Sequence, residues 1–146
     1  MNKKLVAAIA MALVVVAAPI ANAKAIVTAT PTKNLPQKGA VITLKFAKMP
    51  AKNGLYVEEC MAPATKGGTP TVCDSSQSVQ AWVSGVKADL AQGATSAAGK
   101  VKFKPVLYFT NGDCLHTTCI LFITNDHNAA GNKSQDQTIP FTFSAK

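Results

Sequence analysis

The chain has 146 residues and a formal net charge of +8, from 15 lysines and seven acids, with no arginine. Without arginine it lacks the usual bidentate reader of phosphate and guanine, which argues against direct, sequence-specific recognition of nucleic acid. One tryptophan, two histidines and four cysteines are few enough to weigh one by one.

Met1-Asn2-Lys3-Lys4 is a short basic start, Leu5 to Ala18 is an unbroken apolar run, and Ala21-Asn22-Ala23 is a small-x-small cleavage signal. This is the pattern of a secretory signal peptide, and the apolar run is too short to span a bilayer comfortably. Cleavage is expected after Ala23. Residues 1–23 are then leader, and residues 24–146 form one soluble domain with no membrane attachment. The leader takes two lysines with it, leaving 13 against seven acids and a net charge of +6.

The mature chain reads as β throughout. Residues 25–30 form a first strand, stopped by Pro31. Residues 41–46 alternate, with Ile42, Leu44 and Phe46 on one face and Thr43 and Lys45 on the other, as in a half-buried strand. Leu55-Tyr56-Val57 leads into Cys60, and residues 63–70, with Gly67-Gly68, are a loop. Residues 79–83, around Trp82, are a short strand or turn. Residues 87–98 are small and polar without clear periodicity, and no amphipathic helix is expected. Val101 to Phe109 reads as a strand that Pro105 demotes to an edge or bulge. Lys100, Lys102 and Lys104 form a row on it, the solvated face of an edge strand. Residues 119–123 are apolar on both faces and should be central; residues 125–132 are a turn-rich loop. Ile139, Phe141 and Phe143 alternate to the end, with Pro140 pointing outward. About seven strands with frequent turns describe an antiparallel β-sandwich.

Four cysteines in an exported chain point to two disulfides, for which three pairings exist. A bridge from Cys60 to Cys114 or Cys119 would imitate the inter-sheet bridge of an antibody domain. That arrangement wants a tryptophan about a dozen residues past the first cysteine, whereas Trp82 lies 22 residues on. Cys114, His116 and Cys119, with His127, could be read as metal ligands, but C-x-H-x-x-C is not a zinc spacing. Catalytic material is poor. No serine sits in a G-x-S-x-G elbow, His116 and His127 fall in loops, and Glu58 and Glu59 would point to opposite faces of a strand. The pair reads as solvated rim, and the protein is not expected to be an enzyme.

Three stretches together resemble the neocarzinostatin family, the apoproteins of the chromoprotein antitumour antibiotics. They are Thr28 to Gly39, the block Asp113-Cys114-x-x-x-x-Cys119 with Asn125-Asp126 and Ala129-Ala130-Gly131-Asn132 after it, and Thr95 to Val101. The resemblance implies a seven-stranded antiparallel immunoglobulin-like Greek-key sandwich with two local disulfides, Cys60–Cys73 and Cys114–Cys119. It also implies a cleft beside the sandwich that holds a non-covalent, enediyne-like, DNA-cleaving chromophore. DNA would then be a partner only through that ligand, and the carrier a monomer. Carried over residue by residue, the cleft would have Cys60 and Cys73 at its floor, Phe109 or Tyr108 on a wall, and the hydroxyl of Thr124. Two positions depart from the family: Ala62 stands where it has an aromatic, and Ile120 where it has a glutamine. Trp82 is the residue that could replace the missing aromatic.

A secreted small-molecule carrier is therefore the leading expectation. An exported interaction or structural domain without ligand, and a cationic protein binding acidic polymers including DNA, are the alternatives.

Overall fold

The computed structural model describes residues 23–76 and 80–145. The expected leader, apart from Ala23, lies outside the described residues, as does Val79 of the expected strand around Trp82.

Ten strands form among the described residues: β1 (Ile26–Thr30), β2 (Ile42–Ala47), β3 (Leu55–Met61), β4 (Ala81–Ser84), β5 (Thr95–Ser96), β6 (Val101–Phe103), β7 (Tyr108–Phe109), β8 (Gly112–Asp113), β9 (Cys119–Asn125) and β10 (Gln137–Phe141). Three of them, β5, β7 and β8, have only two residues. A short helix, α1 (Lys87–Ala91), lies between β4 and β5. A three-stranded sheet runs β1-β2-β6, a five-stranded sheet runs β10-β9-β3-β4-β5, and β7 and β8 make a separate ribbon. All pairs are antiparallel except β4 with β5.

The alternation read from the sequence sets the two-layer packing. Ile42, Leu44, Val101 and Phe103 of the small sheet meet Leu55, Val57, Leu121 and Ile123 of the large one, all at most 4% exposed. The β9 strand lies between β3 and β10, the central place its two-sided apolar run called for. Pro140 is exposed, as expected, while Phe141 beside it is buried.

Three features differ from the expectations. Pro105 divides what read as one strand into two, in different sheets: β6 ends at Phe103, and β7 belongs to the ribbon. Residues 87–98, expected to be irregular, hold a five-residue helix and the parallel strand β5; one turn and a half is too short to show a helical period. Glu59, expected on a solvated rim, is fully buried. It does point away from Glu58, and the face it points to is the core.

Candidate functional site

On β3 the side chains of Tyr56, Glu58 and Cys60 point out of the sandwich, and those of Leu55, Val57 and Glu59 point in. Tyr56 pairs directly with Trp82 on β4 and with Thr124 on β9. Trp82, Tyr56 and Thr124 therefore form a row across the outer face of the five-stranded sheet. The Thr124 hydroxyl donates to Asp136 Oδ1 at 2.8 Å.

The aromatic end of this row is held from below. The indole N–H of Trp82 donates to Asp126 Oδ2 at 3.0 Å, and the same oxygen accepts the Gly54 amide at 2.8 Å. Asp126 is 1% exposed, and its other oxygen accepts the Asn128 amide at 3.0 Å, capping a turn of 3-10 helix over His127–Ala129. The Asn128 side chain donates to Asp89 of α1 at 3.1 Å, and Ser84 Oγ donates to the same carboxylate at 2.7 Å. His127 stands edge-on to Trp82, with ring centres 5.0 Å apart, and its Nδ1 lies 2.6 Å from the Tyr56 hydroxyl. Burial raises the pKa of Tyr56, which keeps that hydroxyl protonated and able to donate to His127. The one polar atom of the indole is thus tied to a buried carboxylate that is itself held by Gly54 and Asn128.

Beside these rings the flank of the sandwich opens into a cavity of about 530 Å³, within the range of small-molecule sites. Tyr56, Trp82 and Val101 supply rings and apolar wall; Gln80, Thr95, Lys100 and Lys102 supply polar groups. The cavity sits where β4 outruns its short neighbour β5, which pairs only with Val83 and Ser84. The Ala81–Trp82 half of β4 therefore faces the edge of β6 across a gap.

The residues expected at the cleft do not all meet. Trp82 and Thr124 share the outer face, and the Cys60–Cys73 disulfide lies further along it. The 63–70 loop that this bridge closes folds over Phe122 and leaves only a cavity of about 140 Å³ there. Tyr108 is on the ribbon, 55% exposed, lining a different cavity of about 540 Å³ with Leu107, Leu115 and Phe143. Phe109 packs against the core, with its ring over Gly112 where any Cβ would collide at 2.2 Å. Sequence reasoning missed Tyr56, Asp126, His127 and Gln80 as members of the site. The signal that could have found Tyr56 is strand register, which one sequence does not reveal.

The C-x-H-x-x-C stretch is a small disulfide loop: Cys114 is bonded to Cys119. His116 is tied to Asp113, Nδ1 to Oδ2 at 2.8 Å. The hydrogen bond from His116 chiefly lowers the Asp113 pKa. Glu58, Cys60 and Cys73 also cluster, with ligand atoms within 4.8 Å of one another. The two sulfurs there are bonded to each other, however, and have no thiolate to offer a metal.

These features define a two-sheet immunoglobulin-like sandwich with two local disulfides, an external ribbon and an aromatic-walled cavity on one flank. A solved structure that shares this architecture is macromomycin, of the neocarzinostatin family. The TM-score is 0.52 at 18% identity, over 82% of this chain and 98% of that one. No protein-family model matches the chain, and no curated protein matches it. The likeness bears out the immunoglobulin-like sandwich that the resemblance implied, while the described residues form ten strands, three of them two residues long, where seven were expected. A shared sandwich does not fix a function, which has to be argued from the site.

Proposed function

We propose that the protein is a secreted carrier that binds and shields a flat aromatic small molecule in the cavity beside Trp82. The observation that carries this reading is an indole immobilised by a buried carboxylate at the wall of a ligand-sized cavity. A rigid, preorganised ring loses little entropy when a planar ligand stacks on it. Secretion is supported by the leader-like first 23 residues and by two disulfides. The enediyne chromophore that the family resemblance implies is one specific case of such a ligand, with Trp82 in place of the aromatic missing at Ala62.

Trp82 is the sole tryptophan, so emission reports this site alone. Titration with planar aromatic compounds should quench it saturably, and Trp82→Leu should abolish binding measured by calorimetry. Unquenched emission across a panel of such compounds would remove the carrier reading. A native mass spectrum of secreted material checks the rest. The expected mass starts at Lys24, lacks four hydrogens, and carries a dissociable small molecule.

One observation favours a second reading, a cationic protein that binds acidic polymers. The outer face of the three-stranded sheet presents Thr28, Thr30, Thr43, Lys45 and Lys102, flanked by Lys100 and Lys104, and β1, β2 and β6 contain no acid. Under this reading, retention on a polyanion column falls steeply with salt and Trp82 emission ignores aromatic compounds.

A further inference from the structure

The cavity beside Trp82 joins two kinds of wall. One is aromatic, Tyr56 with Trp82, whose ring centres lie 6.4 Å apart at an interplanar angle of 54°. The other is cationic: Lys100 and Lys102 stand two residues apart on and beside β6, and both are exposed. No carboxylate lines the cavity among the described residues. The acids nearest to it in the bonding pattern are already engaged. Glu58 accepts the Gln80 amide at 2.7 Å, and Asp126 is taken up by Trp82, Gly54 and Asn128. Lys102 spends one of its three N–H groups on the Thr43 hydroxyl at 2.8 Å, which holds its ammonium over the sheet and leaves two donors.

We infer that the ligand of this cavity is an aromatic anion: a planar ring system stacked on Trp82 and Tyr56 that bears a carboxylate, sulfonate or phosphate directed at Lys100 and Lys102. The inference rests on the carrier reading and names the chemistry of its cargo. A cationic aromatic is disfavoured by two lysines in the wall. A neutral one draws no charge attraction from either ammonium group, one of which keeps its bond to Thr43. The hydroxyl of Thr95 and the side chain of Gln80 add hydrogen-bonding groups around the ring, consistent with a substituted rather than a bare hydrocarbon.

The test uses two probes that differ only in charge, anthraquinone-2-carboxylate and anthraquinone-2-carboxamide, titrated by calorimetry and by absorption-corrected Trp82 quenching at low salt. The carboxylate is expected to bind about tenfold tighter, the scale of two exposed ion pairs. The advantage should vanish in high salt and in the double variant Lys100→Gln, Lys102→Gln, which should lose much more affinity for the carboxylate than for the carboxamide. Near-ultraviolet circular dichroism and thermal unfolding confirm that the variant keeps its fold, as expected for two exposed side chains. Equal affinity for both probes would overturn the anion assignment and leave the carrier standing. So would a double variant that weakens both probes alike. Binding of neither probe by the folded parent would remove the carrier reading at this cavity and the inference with it.

Discussion

Two buried residues carry sharp expectations. Glu59 is fully enclosed on the core face of β3, where its carboxylate accepts the Val106 amide at 2.9 Å and lies 3.4 Å from Cys114 Sγ. The disulfide sulfur has no hydrogen, so the group that can donate across that contact is the protonated carboxyl. Desolvation raises its pKa to about 7, against an ordinary value of 4.5. The folded protein thus holds a proton that the unfolded chain releases earlier. The contribution of Glu59 to stability is whole below pH 4.5 and is lost as pH rises to about 7, at ~1.4 kcal/mol per pH unit. Glu59→Gln has no proton to lose. Denaturant unfolding should show parent and variant alike at about pH 4 and the variant more stable at about pH 8; parallel profiles would refute this. Gly54 is the second case. A Cβ there would meet Val83 O at 2.8 Å and, at 2.9 Å, Asp126 Oδ2, the atom that accepts the indole N–H. Gly54→Ala should cost about 1–3 kcal/mol in thermal unfolding and, by shifting Asp126, weaken ligand quenching of Trp82.

Among elements, the two disulfides close loops of unequal size, with sequence separations of 13 and 5. Chain entropy alone assigns about 3 kcal/mol to Cys60–Cys73 and about 2 kcal/mol to Cys114–Cys119. Double serine variants compared by chemical denaturation should follow that order. The Cys60–Cys73 variant should also free the 63–70 loop from the outer face near Phe122, seen as faster amide exchange there. Two kinds of strand could be read in advance: those buried on one face and solvated on the other, and β9, whose run is apolar on both faces. Ile42, Leu44 and Phe46, or Ile139 and Phe141, alternate because the sheet demands it. The elements that could not be read are short or lie between sheets: α1, β5, and the β6–β7 division at Pro105. Their positions follow from contacts made elsewhere in the chain, such as the bond from Val106 to Glu59. The site was legible in the same partial way. Trp82 stood out as the single indole, and Thr124 by its place after the last cysteine. Tyr56, Asp126 and His127 join them only through the β3–β4 and β3–β9 registers, and Tyr108, which looked like a neighbour, is carried off by the ribbon.

On the scale of the whole molecule, the acids are unevenly placed. All seven acids occur at Glu58 or later, and none lies in the three-stranded sheet; the acids of the five-stranded side include Glu58, Asp126 and Asp136. Lys45, Lys102 and Lys104 stand on or beside the small sheet instead. Exchanging these three for glutamine should lower the salt needed to elute the protein from a cation exchanger more than exchanging Lys66, Lys87 and Lys133, although the net charge changes equally; equal shifts would show that only total charge matters. Near a negatively charged support the molecule is expected to settle with its acid-free threonine–lysine side down. The Trp82 cavity, whose Lys100 and Lys102 also border that side, then lies at the rim of the contact. A molecule bound as proposed beside Trp82 would sit at the edge of that contact, while the outer face of the five-stranded sheet looks away into solution.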